Sequence, residues 1–354
     1  MSVTALDLSL SGPDLTVALC DVESVSGNEK ALADLVERAL RDVPHLTVDR
    51  DGDAVVARTS LGRAERVVLA GHIDTVPLGD NLPCRVEGGR IHGCGTTDMK
   101  SGVAVQLRLA AHLPEPNRDV TYVFYDHEEV EADKNGLGRI ARAKPEWLAG
   151  DFAVLMEPTN ATVEGGCQGS LRAEVLLRGH RAHSARSWLG SNAVHAAGEV
   201  LRRLEAYEAE QVEIDGLVYR EGLNAVGISG GVAGNVIPDE CRVSVNYRFA
   251  PSRSEGEAAD VVRQVLEGYD VEVVDSAPGA LPGLSEPAAA AFVAMVGREP
   301  QPKFGWTDVA RFSALGVPAV NYGPGDPGVA HQREEYCDVA PILECEERML
   351  AWLS

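Results

Sequence analysis

The sequence has no cysteine pattern that would staple a small domain or bind zinc by itself. Its seven cysteines are scattered, odd in number and form no Cys-x-x-Cys pair: Cys20, Cys84, Cys94, Cys167, Cys241, Cys337 and Cys345. This spacing argues against a disulfide framework and against a cysteine-ligated zinc site. The pattern predicts buried, reduced thiols, as in a cytoplasmic protein.

Long apolar runs and basic segments are also lacking. No uncharged apolar stretch of about 18 residues occurs, so no membrane span is expected. Residues 1–15, MSVTALDLSLSGPDL, have neither the basic start nor the apolar run of a signal peptide. The net charge of −22 argues against nucleic acids and anionic membranes as partners, because both bind basic patches. These absences favour a cytoplasmic protein.

The chain does have enough apolar residues for more than one core. It has 354 residues, of which 45% are hydrophobic, and this length suits about two domains. Short apolar runs alternate with helical stretches, a pattern typical of an α/β sheet. Helical periodicity covers roughly Asp14–Asp42, with Ser24 and Ser26 as possible caps nearby.

The middle of the chain predicts a separate βαββαβ unit. Strands are expected over Ser170–Arg178, Leu223–Ser229, Cys241–Phe249 and Val271–Val274, and helices over Asn192–Ala206 and Gly256–Leu266. We therefore predict a main α/β domain of residues 1–174 and 283–354. A smaller α+β domain of residues 175–282 is inserted into it.

Four apolar runs outside the inserted domain deliver an acid or a histidine near their carboxyl ends. The runs are Arg66–Ala70 before His72 and Asp74, Val120–Tyr125 before Glu128 and Glu129, Phe152–Met156 before Glu157, and Pro318–Tyr322 before His331. Open α/β sheets bind ligands along the edge where the carboxyl ends of their strands lie. Chance could place one or two charged residues there, but four with metal-ligand chemistry predict a site.

His72 and Asp74 form a His-x-Asp pair, in which the acid can orient a metal-binding imidazole through its second ring nitrogen. Asp98 lies in a glycine-rich segment, residues 93–102. This segment also resembles a nucleotide-binding loop, but no strand leads cleanly into it, so the metal interpretation is favoured.

The candidate ligands combine two imidazoles with three carboxylates: His72, His331, Asp98, Glu129 and Glu157. Mixed nitrogen and oxygen donors suit Zn²⁺, with Co²⁺ or Mn²⁺ as possible substitutes. The three carboxylates and a bound hydroxide would neutralise two such ions. We therefore predict two zinc ions per subunit.

Together these motifs resemble the M20 family of dinuclear zinc metallopeptidases and deacylases. The resemblance covers nearly the whole chain and rests on Gly-His-Ile-Asp-Thr-Val-Pro at 71–77, the Asp98 segment, Glu128-Glu129, Glu157-Pro158 and His331. It implies a three-layer αβα catalytic domain with a mixed sheet, and an inserted domain that acts as a lid and dimerises.

The same resemblance implies a role for each residue of the site. Asp98 would bridge the two zinc ions, and Glu128 would be the general base. One zinc would also be bound by His72 and Glu157, and the other by Glu129 and His331. A cis peptide bond is implied at Asp98–Met99.

Several segments are similar, more narrowly, to an actinobacterial branch of the family that removes a succinyl group from an N-succinyl amino acid. These segments are 126–131, 181–190, 230–248 and 306–311. Glu rather than Asp at position 157 is typical of the deacylase and carboxypeptidase branches. Ser187 departs from the proline expected there, which puts the substrate in question but not the chemistry.

The resemblance also implies residues that contact a small anionic substrate. His183 would reach the active site of the partner subunit in a homodimer and steady the oxyanion. Arginines grip carboxylates bidentately, and the candidates are Arg186, Arg248 and Arg311, with Asn235 and Thr307 as hydrogen-bonding partners. For Arg311, a structural salt bridge is an equally good interpretation.

Two alternatives stay open. The chain could be another amide hydrolase of the same family, such as an acetylornithine deacetylase or a glutamate-releasing carboxypeptidase. It could also be a noncatalytic binding or scaffold protein. The scaffold alternative predicts a lost ligand or base, and none of the expected residues is lost.

Overall fold

The structure, a computed structural model, describes residues 4–354, so the predicted start of the main domain at residue 1 lies outside it. The chain forms two compact units. The first comprises the chain up to Gly166 with Pro282–Gln301 and Asp308–Ser354, and the second comprises Cys167–Leu281 with Pro302–Thr307. The second unit begins ahead of the predicted boundary at 175, because the strand Gly169–Arg178 pairs along its length with other strands of that unit.

The α-helices are, in chain order, α1 (Gly12–Cys20), α2 (Lys30–Arg41), α3 (Ser101–His112), α4 (Gly136–Ala143), α5 (Ala193–Glu205), α6 (Glu255–Val265), α7 (Pro287–Val296), α8 (Val309–Ala314) and α9 (Val339–Leu353). Within residues 4–354, no helix is long and apolar enough to cross a membrane.

The strands of the amino-terminal half are β1 (Thr47–Asp51), β2 (Ala54–Arg58), β3 (Arg66–His72), β4 (Arg85–Glu87), β5 (Arg90–His92), β6 (Asp119–Tyr125), β7 (Phe152–Leu155) and β8 (Glu164–Gly165). The later strands are β9 (Gly169–Arg178), β10 (Ala182–His183), β11 (Gln211–Ile214), β12 (Leu217–Arg220), β13 (Gly222–Gly230), β14 (Val236–Ile237), β15 (Glu240–Phe249), β16 (Val271–Ala277), β17 (Gln301–Pro302), β18 (Ala319–Asn321) and β19 (Tyr336–Asp338).

A mixed eight-stranded sheet organises the first unit, with the order β1-β2-β6-β3-β7-β18-β8-β17. Its centre is parallel, because β3 pairs in parallel with β6 and β7, and β18 pairs in parallel with β7. The pairs β1–β2, β2–β6 and β18–β8 are antiparallel. The four predicted strands that precede site residues are therefore neighbours in one sheet.

Both faces of this sheet are buried, as the near-continuous apolar strands require. In β6, Val120, Tyr122 and Phe124 pack into the core with α1, α2, α3, α7 and α9. Alternate residues such as Val123 and Tyr125 are also fully buried and point to the opposite face, since side chains alternate along a strand. On the sheet, α8 contacts β7 and β18. The predicted three-layer α/β architecture is confirmed.

The predicted helix over Asp14–Asp42 is wrong in its middle. The chain forms α1 and α2 instead, and residues 21–29 between them are not helical, with Gly27 at a φ of 92°. Ser24 and Ser26 do not cap either helix. Their hydroxyls donate to Ile73 O and Asp74 Oδ2, so tertiary hydrogen bonds replace the local ones that periodicity favoured.

The second unit has the predicted βαββαβ order, formed by β9, α5, β13, β15, α6 and β16. Its four-stranded sheet, β13-β15-β9-β16, is antiparallel, and its inner face packs against α5 and α6. Local signals define both helices. Asn192 caps α5, and Ser254 with Glu257 forms a capping box at the start of α6. A β11–β12 hairpin and the short β10–β14 pair are added to this plan.

Candidate metal centre

Four neighbouring strands bring acids and histidines to one edge of the large sheet. His72 is the last residue of β3, and the Glu128-Glu129 turn follows β6. Glu157 follows β7, and His331 lies in the loop after β18. Because β6, β3, β7 and β18 run parallel, their carboxyl ends meet at the same edge, as the sequence predicted.

Asp98 joins these residues into two adjacent ligand groups. Potential ligand atoms of His72, Asp98 and Glu157 all lie within 4.8 Å of one another, and so do those of Asp98, Glu129 and His331. The two Asp98 oxygens face different histidines: Oδ1 lies 3.1 Å from His72 Nε2, and Oδ2 lies 3.4 Å from His331 Nε2. His331 Nε2 also lies 3.0 Å from Glu129 Oε1. One carboxylate is thus shared by both groups.

Asp74 lies behind His72 and is completely buried. Its Oδ1 is 3.3 Å from His72 Nδ1, and its main-chain oxygen is 3.1 Å from the same nitrogen. These acceptors hold the Nδ1 side of the ring, so Nε2 faces Asp98. Asp74 also accepts hydrogen bonds from the main-chain N–H groups of Glu128 and Glu129, each at 3.1 Å. The acid therefore orients both the imidazole and the turn.

The Glu128 carboxylate lies beside the ligand groups. Potential ligand atoms of His72, Glu128 and Glu129 fall within 4.8 Å of one another. The structure therefore turns both adjacent glutamates towards the same centre, although successive side chains of a regular strand point to opposite faces. In this turn His127 has a φ of 58°, in the left-handed region.

The Asp98 segment is held by a buried acid that sequence reasoning missed. Glu335 Oε1 accepts hydrogen bonds from Thr97 N at 2.9 Å and Asp98 N at 3.2 Å. Burial raises the pKa of Glu335 to about 7. The Asp98–Met99 peptide bond is cis, as the resemblance implied. The sequence offered one weak signal, an acidic pair at 334–335 shortly after His331, but nothing showed which acid turns inward.

The pKa values in this cluster show that it favours positive charge. Burial lowers the pKa of His72, but Asp74 and Asp98 raise it overall to well above its usual range. Asp98 and Glu129 raise the pKa of His331 to about 10. Burial raises the pKa of Asp98, but His331 and His72 lower it overall. Burial raises the pKa values of Glu128 and Glu129.

The donor set fits divalent cations. Two of the three groups of nitrogen and oxygen donors share the Asp98 carboxylate, and such mixed donors are typical ligands of divalent metal ions. The positive charge of such ions would also offset the repulsion between the closely spaced acids.

His183 and Asn235, both predicted to contact substrate, lie close together in the second unit. His183 pairs with Val236 across the β10–β14 ladder, and Ser184 N donates to Asn235 O at 2.9 Å. The exposed His183 accepts a hydrogen bond from Ala185 N at its Nδ1, at 3.0 Å. Arg186 follows in the turn Ser184–Leu189 and is exposed.

Arg248 and Thr307 also belong to the second unit. Arg248 lies on the central strand β15, where it faces Ser170 on one side and Gly222 on the other. Burial lowers the pKa of Arg248. Thr307 is buried, and its main-chain oxygen accepts a hydrogen bond from Cys167 Sγ at 3.6 Å.

Arg311, the remaining predicted substrate residue, belongs to the first unit. Its guanidinium forms an ion pair with Asp308, an acid that is completely buried. Asp308 also accepts a hydrogen bond from Asn135 Nδ2 at 3.0 Å, and Asn135 caps α4. These contacts favour the structural salt bridge that the sequence left open for Arg311.

Comparison with known proteins places these features in a family. The model of peptidase family M20/M25/M40 matches residues 68–354. A Mycobacterium tuberculosis protein named "Putative succinyl-diaminopimelate desuccinylase" is 55% identical over 351 residues, covering 98% of this chain and 99% of that protein. The succinyl-diaminopimelate desuccinylase of Corynebacterium glutamicum is 51% identical, covering 96% of this chain and 95% of that protein.

A solved structure shows the same fold at low sequence identity. The crystal structure of a Staphylococcus aureus tripeptidase superposes with a TM-score of 0.79 at 20% identity, covering 98% of both chains. The same fold is therefore found in a protein described as a tripeptidase. The fold alone does not select the substrate.

Proposed function

Because this chain belongs to the peptidase family M20/M25/M40, we propose that it hydrolyses the amide bond of N-succinyl-LL-2,6-diaminopimelate. The products are succinate and LL-2,6-diaminopimelate, a step of lysine and diaminopimelate biosynthesis. The observation that carries this proposal is 51–55% identity, over nearly the full chain, to proteins named succinyl-diaminopimelate desuccinylase. The family resemblance seen in the motifs is confirmed, and an amide hydrolase is favoured over a noncatalytic scaffold.

The metal ions of the proposal are two Zn²⁺ per subunit. His72, Asp98 and Glu157 would hold one ion, and Asp98, Glu129 and His331 the other, which matches the two groups of clustered ligand atoms. When bound, such ions polarise the scissile carbonyl and lower the pKa of water towards neutrality. Co²⁺ or Mn²⁺ would accept the same donors.

The protein's own groups then move the proton and hold the reactants. Glu128 accepts a proton from the attacking water as the new C–O bond forms, and then gives it to the amine nitrogen as the C–N bond of the amide breaks. Asp74 keeps the Nε2 side of His72 turned towards Asp98 and fixes the turn that carries Glu128. Partial burial of Glu128 supports this role, because desolvation raises the pKa of the carboxyl group and makes the carboxylate more basic.

The substrate is a small anion, whereas the chain carries a net charge of −22. Local cations must therefore offset long-range repulsion, and Arg186 and Arg248 are proposed for this task, with Asn235 and Thr307 as hydrogen-bonding partners. The half-buried position of Arg248 on a central strand supports its part in the proposal.

A homodimer formed through the second unit is part of the same proposal, and His183 would act in the site of the partner subunit. Exposed apolar side chains support such an interface. Val226 and Ile228 on the edge strand β13 are 64% and 54% exposed. Edge strands that expose apolar residues favour pairing with another chain.

A cytoplasmic location completes the proposal. None of the seven cysteines, all of which lie in the described part of the chain, forms a disulfide, and six of them are buried. Free, buried thiols are typical of proteins kept in a reducing compartment.

The test is turnover by the purified protein after loading with zinc. We expect rapid release of succinate from N-succinyl-LL-2,6-diaminopimelate and little turnover of N-acetylornithine or of a peptide with a carboxyl-terminal glutamate. A chelator should abolish turnover, and added Zn²⁺ should restore it. Faster turnover of N-acetylornithine than of the succinyl substrate would reject the proposed substrate but keep the hydrolase class. Full activity after verified removal of all metal would reject the metal centre.

A further inference from the structure

The segment 24–29, which interrupts the predicted long helix, is hydrogen-bonded to the residues after β3 and to the turn that carries the two glutamates. Ser24 Oγ donates to Ile73 O at 2.6 Å, and Thr75 N donates to Ser24 O at 3.0 Å. Ser26 N donates to Thr75 O at 3.0 Å. Ser26 Oγ donates to Asp74 Oδ2 at 2.5 Å. The segment is thus bonded along its length to the residues that follow β3.

Glu29 ends this segment, and its side chain is completely buried. Its Oε1 accepts a hydrogen bond from Gly27 N at 2.9 Å and another from His127 N at 3.2 Å. The same oxygen lies 3.3 Å from His127 Nδ1. Glu29 therefore ties its own segment to the turn after β6.

Glu29 stands at the amino terminus of α2, where an acid commonly caps its own helix. In the described residues its side chain makes no capping hydrogen bond to that helix. The carboxylate is directed instead at a turn about a hundred residues further along the chain. Stabilising α2 therefore does not account for its position.

Glu29 and Asp74 together fix three consecutive main-chain N–H groups. His127 N donates to Glu29, and the next two N–H groups, of Glu128 and Glu129, donate to Asp74. His127 has a φ of 58°, a left-handed conformation that a residue with a side chain seldom adopts unless its surroundings hold it. The buried carboxylates of Glu29 and Asp74 hold the turn in this conformation.

We propose that Glu29 is a positioning residue that fixes the turn after β6 and so aims the Glu128 carboxylate at the reacting water. The inference rests on the proposed role of Glu128 in amide hydrolysis. Glu29 acts through the main chain of His127 and needs no contact with substrate. Loss of its oxygen would release the first N–H of the turn and let Glu128 move, and small displacements of a reacting group lower turnover strongly.

Three variants separate positioning from general stability. Glu29→Ala removes the acceptor, whereas Glu29→Gln keeps an oxygen at the same place. Asp119→Ala is the matched control, because Asp119 is also buried and accepts main-chain hydrogen bonds, from Leu61 and Arg63. Asp119 begins β6, at the other end of the strand from the glutamate turn.

For each zinc-loaded variant we would measure kcat and KM with N-succinyl-LL-2,6-diaminopimelate, metal content, Tm, and hydrogen exchange of residues 126–130. Glu29→Ala should lower kcat by about tenfold or more with little change in KM or metal content. Its 126–130 amides should exchange faster than those of the unmodified protein. Glu29→Gln should recover most of kcat, and Asp119→Ala should lower Tm without slowing kcat.

Unchanged kcat in folded, metal-loaded Glu29→Ala would overturn the proposal, as would equal losses in the Ala and Gln variants. Unchanged hydrogen exchange in residues 126–130 would also overturn it. If the unmodified protein itself fails to turn over the succinyl substrate, the proposed function fails. The exchange experiment then still decides whether Glu29 fixes the turn, because it does not depend on activity.

Discussion

Two adjacent glutamates have different neighbours, and we propose different tasks for them. Glu129 Oε1 lies 3.0 Å from His331 Nε2 and belongs to a ligand group with Asp98. Glu128 groups with His72 and Glu129 instead, and burial raises its pKa well above the usual range. The pair thus divides into a proposed ligand and a proposed base, although both side chains have the same chemistry.

Replacing Glu128 by Gln tests this division at the residue scale. Glu128→Gln should lower kcat by about a hundredfold to ten-thousandfold, because the amide cannot accept the proton. Metal content should stay normal, since none of the five proposed ligands is changed. Metal analysis with steady-state kinetics checks both points. Glu131→Gln is the control on the same turn, because Glu131 is exposed and pairs with Lys134. Normal turnover by Glu128→Gln would reject Glu128 as the base.

At the scale of elements, β6 carries a buried carboxylate at its start and the glutamate turn beyond its end. Asp119 accepts hydrogen bonds from Leu61 N at 2.8 Å, Arg63 N at 3.0 Å and the Thr59 hydroxyl at 2.9 Å. These bonds hold the 59–63 connection against the start of the strand. One strand therefore has a structural acid at its amino end and the site at its carboxyl end.

The Asp119 carboxylate should make the free energy of unfolding depend on pH in the acid range. Burial raises the pKa of Asp119, but the hydrogen bonds from Leu61, Arg63 and Thr59 lower it overall. A lowered pKa means that the ionised form stabilises the folded state above the unfolded pKa, about 3.9 for Asp, and that this contribution is lost as pH falls through the folded pKa. Asp119→Asn should therefore lower the free energy of unfolding by about 1–3 kcal/mol at neutral pH.

Urea denaturation of the metal-free proteins at a series of pH values measures this difference. The difference in free energy of unfolding between the unmodified protein and Asp119→Asn should be largest at neutral pH. It should decrease as pH falls below about 4. A difference in free energy of unfolding that is the same at every pH would show that the charge of the Asp119 carboxylate does not contribute to stability.

At the scale of the whole molecule, the second unit contains most of the residues proposed to contact substrate, namely His183, Arg186, Asn235, Arg248 and Thr307. The first unit contains the whole candidate metal centre. A site completed by a partner subunit would make dimerisation a condition of activity. It would also explain why the inserted domain is kept in a chain whose metal ligands all lie elsewhere.

A mixed dimer tests the trans role of His183. His183→Ala and Glu128→Gln homodimers should both be nearly inactive with normal metal content. A heterodimer purified with two different tags contains one site with an intact Glu128 and an intact partner His183, so it should regain about half of normal activity. Homodimers of each variant are the controls. No recovery in the heterodimer would place His183 in the site of its own subunit or outside the mechanism.

The sequence by itself determined the α/β class, the βαββαβ insertion, the family and the set of residues gathered at the centre. The class, the insertion and the ligands at strand ends follow from local periodicity, since neighbouring parallel strands bring their carboxyl ends together. The family and the place of Asp98 follow from the resemblance of the motifs. The expectation of a helix across residues 14–42 failed, because periodicity does not register the hydrogen bonds of Ser24 and Ser26 to residues after β3.

Only the tertiary structure decided which buried acids hold the main chain of the metal centre in place through hydrogen bonds. Glu29 and Glu335 accept hydrogen bonds from N–H groups that are far away in sequence. Those groups belong to His127 for Glu29, and to Thr97 and Asp98 for Glu335. In a chain with 54 acidic residues, composition gives no reason to single out either. Their roles arise from burial against a particular turn, a property of the folded chain that local patterns do not encode.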